Sequence, residues 1–176
     1  MTYEGDGSGP AQAPSVGDSE LVREERAMKI YLAARWGRRS ELRGYRDELE
    51  KMGHTVTSRW LDDHDTGDAD NAAFVATQDL DDIIDANALI FFGEDPLLGL
   101  GKRGGRHVEF GFAFACAPPK TVFLVGPREN VFHYLPSVLW FEQWTNLAFM
   151  MEAAAKVMGT DDPKFRINEP TDKPKE

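Results

Sequence analysis

Very little in this sequence can brace a fold from outside its core. Of 176 residues only Cys116 is a cysteine, which excludes an intramolecular disulfide and a Cys-rich zinc site, and with them small stapled domains and zinc ribbons. No apolar run approaches the ~20 residues that cross a bilayer, and the first residues are acidic and rich in Gly and Pro instead of basic and then apolar. Positive charge is scarce as well: 20 Lys and Arg stand against 30 Asp and Glu, a formal charge of −10. A nucleic-acid backbone is held by a basic surface that releases counterions, so neither nucleic acid nor a membrane is an expected partner. The expectation is a cytoplasmic protein whose partner is a small molecule or another protein.

What is present suffices for one domain: 41% of the residues are hydrophobic and 11% aromatic, enough to bury a sizeable core at this length. These residues are unevenly spread. Residues 1–27 are dominated by Gly, Pro, Ala, Ser and acid and predict a disordered segment, because so few apolar groups cannot offset the entropy of ordering. Residues 159–176, charged and punctuated by proline, predict a mostly disordered tail. The folded unit is expected over 28–158, where 14 Lys and Arg against 19 Asp and Glu account for half the net charge.

Inside that unit, short β-rich runs alternate with helical spacings. Lys29–Ala34 and His54–Arg59 read as strands. Leu42, Tyr45, Leu49 and Met52 recur at three- and four-residue intervals, on one face of a helix over Glu41–Met52 that Gly53 ends. Asp70–Asp85 repeats the pattern with Phe74, Leu80, Ile83 and Ile84. Ala88–Gly93 and Thr121–Gly126 are uninterrupted apolar runs, as in strands covered on both faces. A helix over Gly105–Cys116 joins them, an extended stretch follows near Val138–Phe141, and Asn146–Met158 is the last helix. Alternation of this kind implies βαβ units with right-handed crossovers. The expected fold is α/β: a doubly wound, flavodoxin-like or Rossmann-like parallel sheet of about five strands with helices on both faces. Ligands of such folds bind at the carboxyl ends of the strands, which directs attention to the loops after Ala34, Arg59, Phe92 and Val125.

Glu109 is the most unusual residue. It is the one carboxylate in VEFGFAFACA, residues 108–117, a helical stretch apolar on every side and therefore expected to be buried. It also falls near the helix start, where free N–H groups and the dipole favour an anion and oppose the pKa rise that burial causes, so an ionised nucleophile is one reading. The other reading is structural, with Glu109 capping its helix or pairing with Arg106 at i−3. Gly104 and Gly105 would let a ligand approach the backbone, and Gly111 would let a neighbouring strand pack close.

Other motifs carry less. Gly99-Leu-Gly101-Lys-Arg-Gly104 is a literal GxGxxG, but it does not follow the first strand and no acid ends the next one, so a dinucleotide is not indicated. The acidic run Asp62, Asp63, His64, Asp65, Asp68 and Asp70 lacks the spacing of an EF-hand and reads as a solvated loop. His107 and His133 have no partner at metal spacing and Cys116 reads as a small core residue, so neither a metal nor another cofactor is expected. Arg35, Arg38, Arg39, Arg43 and Arg46 form the one basic cluster. Its first members, in the loop after the first strand, are placed for a phosphate, while compensation by Glu41 and Asp47 would make the cluster a solvated face. Trp36, in the same loop, is placed to stack on a planar ligand.

Taken in order, these stretches resemble the nucleoside 2-deoxyribosyltransferase family and its nucleotide N-glycosidase relatives. Residues 30–36 resemble the opening strand, in which Tyr31 takes the place of a tyrosine touching the catalytic glutamate and Trp36 that of an aromatic lining the base pocket. Gln78-Asp79-Leu80, followed by Ile83, Ile84 and Ala86, resembles the helix with a substrate-orienting aspartate, a role that falls on Asp79. Residues 105–113 resemble the glutamate motif, which makes Glu109 the nucleophile. Asn130, after Gly126-Pro-Arg-Glu, resembles an asparagine that reaches across a subunit interface, which implies a homodimer or higher homo-oligomer. Some transferases in the family carry a second aspartate six residues before the glutamate. Arg103 stands there in this chain, and the tail lacks their aromatic ending, which favours cleavage over transfer. The resemblance thus implies cleavage of the N-glycosidic bond of a (deoxy)nucleoside or nucleotide through a covalent glycosyl-glutamate that a second base or water resolves. Glu109, Asp79 and Tyr31 would be catalytic, with Trp36, Arg35, Gly105 and Asn130 at the substrate. The alternative on the same fold is a nucleotide-sensing binding module without catalysis.

Overall fold

The computed structural model describes residues 27–62, 69–98 and 104–159. The N-terminal segment and the C-terminal tail lie outside them, except for Ala27 and Gly159. So do Arg103, the GxGxxG stretch up to its last glycine, and residues 63–68 of the acidic loop. Five parallel strands, β1 (Lys29–Ala33), β2 (Thr55–Val56), β3 (Ala88–Phe92), β4 (Thr121–Val125) and β5 (Val138–Phe141), form one sheet in the order β2-β1-β3-β4-β5. The helices are α1 (Arg39–Lys51), α2 (Ala69–Asp85), α3 (Gly104–Ala115) and α4 (Trp144–Gly159). This is the expected doubly wound α/β architecture. The chain crosses β1 between β2 and β3, reversing direction, so right-handed crossovers place α1 on one face and α2 and α3 on the other, and α4, after the last strand, packs against α1. Tyr45 of α1 stacks on Trp144 of α4, whose indole donates to Glu48 at 2.7 Å, while α2 packs on α3 across the sheet.

The core lies where the apolar runs meet. All five residues of β3 are buried, as are Ile30–Ala33 of β1 and Val122–Val125 of β4, in a register that pairs Leu32 with Ile90 and Ile90 with Phe123.

Two expectations are corrected. The strand expected over His54–Arg59 is only Thr55–Val56, followed by a 3-10 turn over Arg59–Leu61. Side chains replace the missing ladder: the N–H of Leu32 donates to Ser58 Oγ at 2.6 Å, and Trp60 Nε1 donates to the Leu32 carbonyl at 2.9 Å. With β1's backbone groups so satisfied, the chain turns away from the sheet. The helix α3, moreover, is not buried all round. It turns Arg106, Phe110 and Ala113 inward, while Val108 is 66% exposed and nothing lies within 4 Å of where a side chain at Gly111 would start, so no strand packs there. Phe74 and Ile84 of α2 are exposed as well.

One close approach shapes the carboxyl edge. A Cβ on Gly93 would collide with the Pro127 carbonyl, and Gly126 adopts φ +93°, so the loops after β3 and β4 cross in contact. That crossing sets Glu94 beside Glu129.

Candidate active site

At the carboxyl edge, the loops after β1 and β2 and the helices α2 and α3 enclose a cavity of about 230 Å³. Arg35, Trp36, Trp60, Asp79, Gly105, Arg106 and Glu109 line it. The volume lies below the ~300–1,000 Å³ of drug-sized pockets and suits a metabolite. Trp36 and Trp60 face one another with ring centroids 6.0 Å apart, and the Arg39 guanidinium covers Trp36 at 4.2 Å. Asp79 and Glu109 arrive from α2 and α3, and Tyr31 is fully buried in β1.

Glu109 lies in the second turn of α3, past the reach of the free N–H groups at its start. Burial and the charge of Asp79 therefore prevail, and push its pKa up to about 8 against the opposing pull of Tyr31 and Arg106. Without a ligand the carboxyl is mostly protonated at neutral pH, in contrast to the ionised group that a first-turn position would favour. Burial first, and then Glu109, raises the Tyr31 hydroxyl well above its usual range. The two groups interact side by side, yet neither Tyr31 Oη nor Glu109 Oε2 completes a hydrogen bond of good geometry.

Arg106 does not form the expected pair with Glu109. Its Nη2 takes both oxygens of Glu129 at 2.8 and 2.7 Å, and its Nη1 lies 3.6 Å from Glu94. Glu94 is met from the other side by Arg35 Nε at 3.2 Å, and its own N–H donates to Glu129 at 2.9 Å. Burial works against the Glu129 carboxylate, but the hydrogen bonds from Arg106 and the Glu94 N–H prevail and hold its pKa below the usual range. Three more of the cluster have partners of their own: Arg38 has Glu41 at 2.7 Å, Arg46 has Asp62 at 2.8 Å and Asp47 at 3.3 Å, and Arg43 has the Leu61 carbonyl at 2.7 Å.

Five of the residues expected at the substrate, Glu109, Asp79, Trp36, Arg35 and Gly105, thus share one cavity wall, and Tyr31 interacts with Glu109. Asn130 does not join them. Its side chain accepts from the Phe132 N–H at 2.9 Å and lies 3.4 Å from His107 and 3.3 Å from His133. It borders a second, apolar cavity of about 510 Å³ with Phe110, Phe114, Phe132 and Leu135. Sequence reasoning passed over Trp60, Glu94, Arg106 and Glu129 as site residues. Glu94 was readable, since it follows an apolar strand in a ligand-binding loop, but Glu129 carries no local signal. Among the described residues no three His, Cys, Asp or Glu side chains cluster as metal ligands, and no helix is long and apolar enough to cross a membrane.

Fold and site together define a doubly wound α/β domain with a buried carboxyl group at its switch-point cavity. Among solved structures the chain is similar to a 2-deoxyribosyltransferase from the psychrotolerant bacterium Bacillus psychrosaccharolyticus, with a TM-score of 0.54 and 23% identity. The match covers 68% of this chain and 90% of that one. The likeness to that enzyme is one of fold. No family model and no curated protein matches the chain.

Proposed function

We propose that this protein cleaves the N-glycosidic bond of a (deoxy)nucleoside or nucleotide, with Glu109 as nucleophile. The observation that carries the reading is a cavity in which a buried carboxyl oxygen without a hydrogen-bond partner lies beside a tyrosine and across from an aspartate. In its ionised form Glu109 attacks the anomeric carbon as the bond to the base breaks, through an oxocarbenium-like transition state. Asp79 orients the substrate and assists the proton that leaves with the base. A second base or water then resolves the glycosyl ester and restores the carboxylate. Tyr31 steadies the carboxyl group, Trp36 and Trp60 offer faces for the base, and Arg35 and Gly105 border the sugar or its phosphate. The structural relative, a 2-deoxyribosyltransferase described as a biocatalyst for nucleoside synthesis, supports deoxyribosyl transfer as the form of the reaction when a second base is present.

The reading extends to assembly. Phe132 and Leu135, both exposed, line the apolar cavity that Asn130 borders, which supports a homodimer formed through this face.

Incubation with a deoxynucleoside and a different free base, followed by chromatography, tests the chemistry. Exchange identifies a transferase, and free base without a new nucleoside identifies a hydrolase. Glu109→Gln should lower turnover by about 10³-fold or more and still bind the nucleoside. A protein that binds nucleotides equally well with either residue and turns over none is the binding module instead.

A further inference from the structure

Arg106 stands one turn before Glu109 on α3, at the spacing where a helical arginine and glutamate ordinarily pair. Both border the same cavity. Arg106 is only 2% exposed, and its Nε and Nη1 are buried with no hydrogen bond; Glu109 Oε2 is buried with none either. A cation with unused donors and a carboxyl group with an unused acceptor therefore lie on adjacent turns and are kept apart. In a buried site that separation needs a cause, because each unsatisfied group carries a desolvation cost.

The cause lies 23 residues further along the chain. The Glu129 carboxylate receives Arg106 Nη2 through both oxygens and the Glu94 N–H at 2.9 Å, and His107 Nε2 lies 3.4 Å from it. The Glu129 N–H donates to His133 Nδ1 at 3.1 Å, which fixes the backbone from which the side chain extends. The contact of Gly93 with Pro127 places this loop against the end of β3. Glu94 lies farther from Arg106, at 3.6 Å, and already engages Arg35. Glu129 is therefore the main restraint on the guanidinium.

We propose that Glu129 is a positioning residue that holds Arg106 off Glu109 and so keeps the attacking oxygen open to the sugar. The inference rests on the assignment of Glu109 as nucleophile. The groups facing Glu109 are Tyr31 from β1, Asp79 from α2 and Arg106 from its own helix; those facing Arg106 are Glu94, Glu129, His133 and the Phe91 ring at 5.6 Å. Without Glu129 the charge of Asp79 draws Arg106 toward the cavity, where Glu109 releases its proton to solvent and forms the i,i+3 pair with it. That pair covers the attacking oxygen and fills the sugar's place with a guanidinium.

The test follows the ionisation of Glu109 by infrared titration of its protonated carboxyl band, subtracting Glu109→Gln, together with kcat/KM for base release. In Glu129→Ala the midpoint should fall by about 1–3 pH units, the shift a new opposite charge produces. The kcat/KM should drop about 100-fold or more. Adding Arg106→Leu to Glu129→Ala removes the intruding cation, so the midpoint should return toward that of the wild type and about tenfold or more of the turnover should recover. If Glu129→Ala does not fold, Glu129→Gln replaces it: it keeps an acceptor for the Glu94 N–H but not the charge, and the same fall in midpoint and in kcat/KM is expected. An unmoved midpoint in the folded single variant, or a double variant with Arg106→Leu no more active than that single, overturns the proposal. The titration needs no turnover. If the wild type cleaves no nucleoside, the glycosidic reading fails, while the midpoint still decides whether Glu129 restrains Arg106.

Discussion

At the scale of single residues, the site is governed by how few of its charges reach water. Glu109 ionises near 4.5 as a free side chain and near 8 in the folded protein, so the folded state carries the extra proton between those values. Its contribution to stability is fully present below about 4.5 and is lost as the pH rises to about 8, at ~1.4 kcal/mol per unit of difference. Glu109→Gln has no such proton to lose. Its melting temperature should gain on that of the wild type from pH 5 upward and level off above pH 8; a gap that does not change with pH sinks the account. Under the proposed chemistry, the same midpoint predicts kcat/KM rising toward pH 8 as the carboxylate of Glu109 forms. The sequence made Glu109 conspicuous because a lone acid in an apolar helix has few innocuous explanations. It did not reveal Arg106 as a restrained cation, since the partners that restrain it come from two other loops and no spacing rule joins them.

At the scale of elements, the sequence pattern located the five strands and four α-helices of the described residues, and it misjudged where the second strand ends and how far α3 is enclosed. An extended segment can satisfy its neighbour through side chains as well as through a ladder, and Ser58 and Trp60 do so. Asp82 fixes that departure: 5% exposed, it accepts from the Arg59 N–H at 2.9 Å and from Arg59 Nε at 2.6 Å, which presses Trp60 into the cavity wall. Asp82→Ala strands that N–H, and the stability loss should be ~1–3 kcal/mol. In a domain of this size that is about 2–4 °C of melting temperature per kcal/mol, read by calorimetry. Nucleoside affinity should fall with it as Trp60 loosens. Arg59→Ala should cost less, because the arginine side chain is 54% exposed. Equal losses in the two variants would show that Asp82 does not act through the backbone.

At the scale of the whole molecule, the apolar circumference of α3 takes on a second meaning. Composition alone cannot distinguish a helix enclosed by its own domain from one whose outer side another molecule covers, and the sequence pattern is the same in both cases. Here the inner side meets β1, β3 and β4, while Val108 is exposed and Gly111 borders a cavity with Phe132 and Leu135. Sedimentation equilibrium should therefore give a dimer for the full chain and a monomer for Phe132→Asp, with the fold of the variant intact by circular dichroism. A wild-type monomer at tens of micromolar would remove the proposed assembly and with it any role for Asn130 at a neighbouring site.

Two of the chain's four tryptophans, Trp36 and Trp60, form the wall of the candidate cavity, and the other two, Trp140 and Trp144, do not border it. Half of the indoles thus lie where, in the proposed reaction, a nucleobase would stack. Occupancy should register as quenching or a spectral displacement of intrinsic fluorescence, so the protein carries its own optical gauge of ligand binding, readable without a label and without turnover.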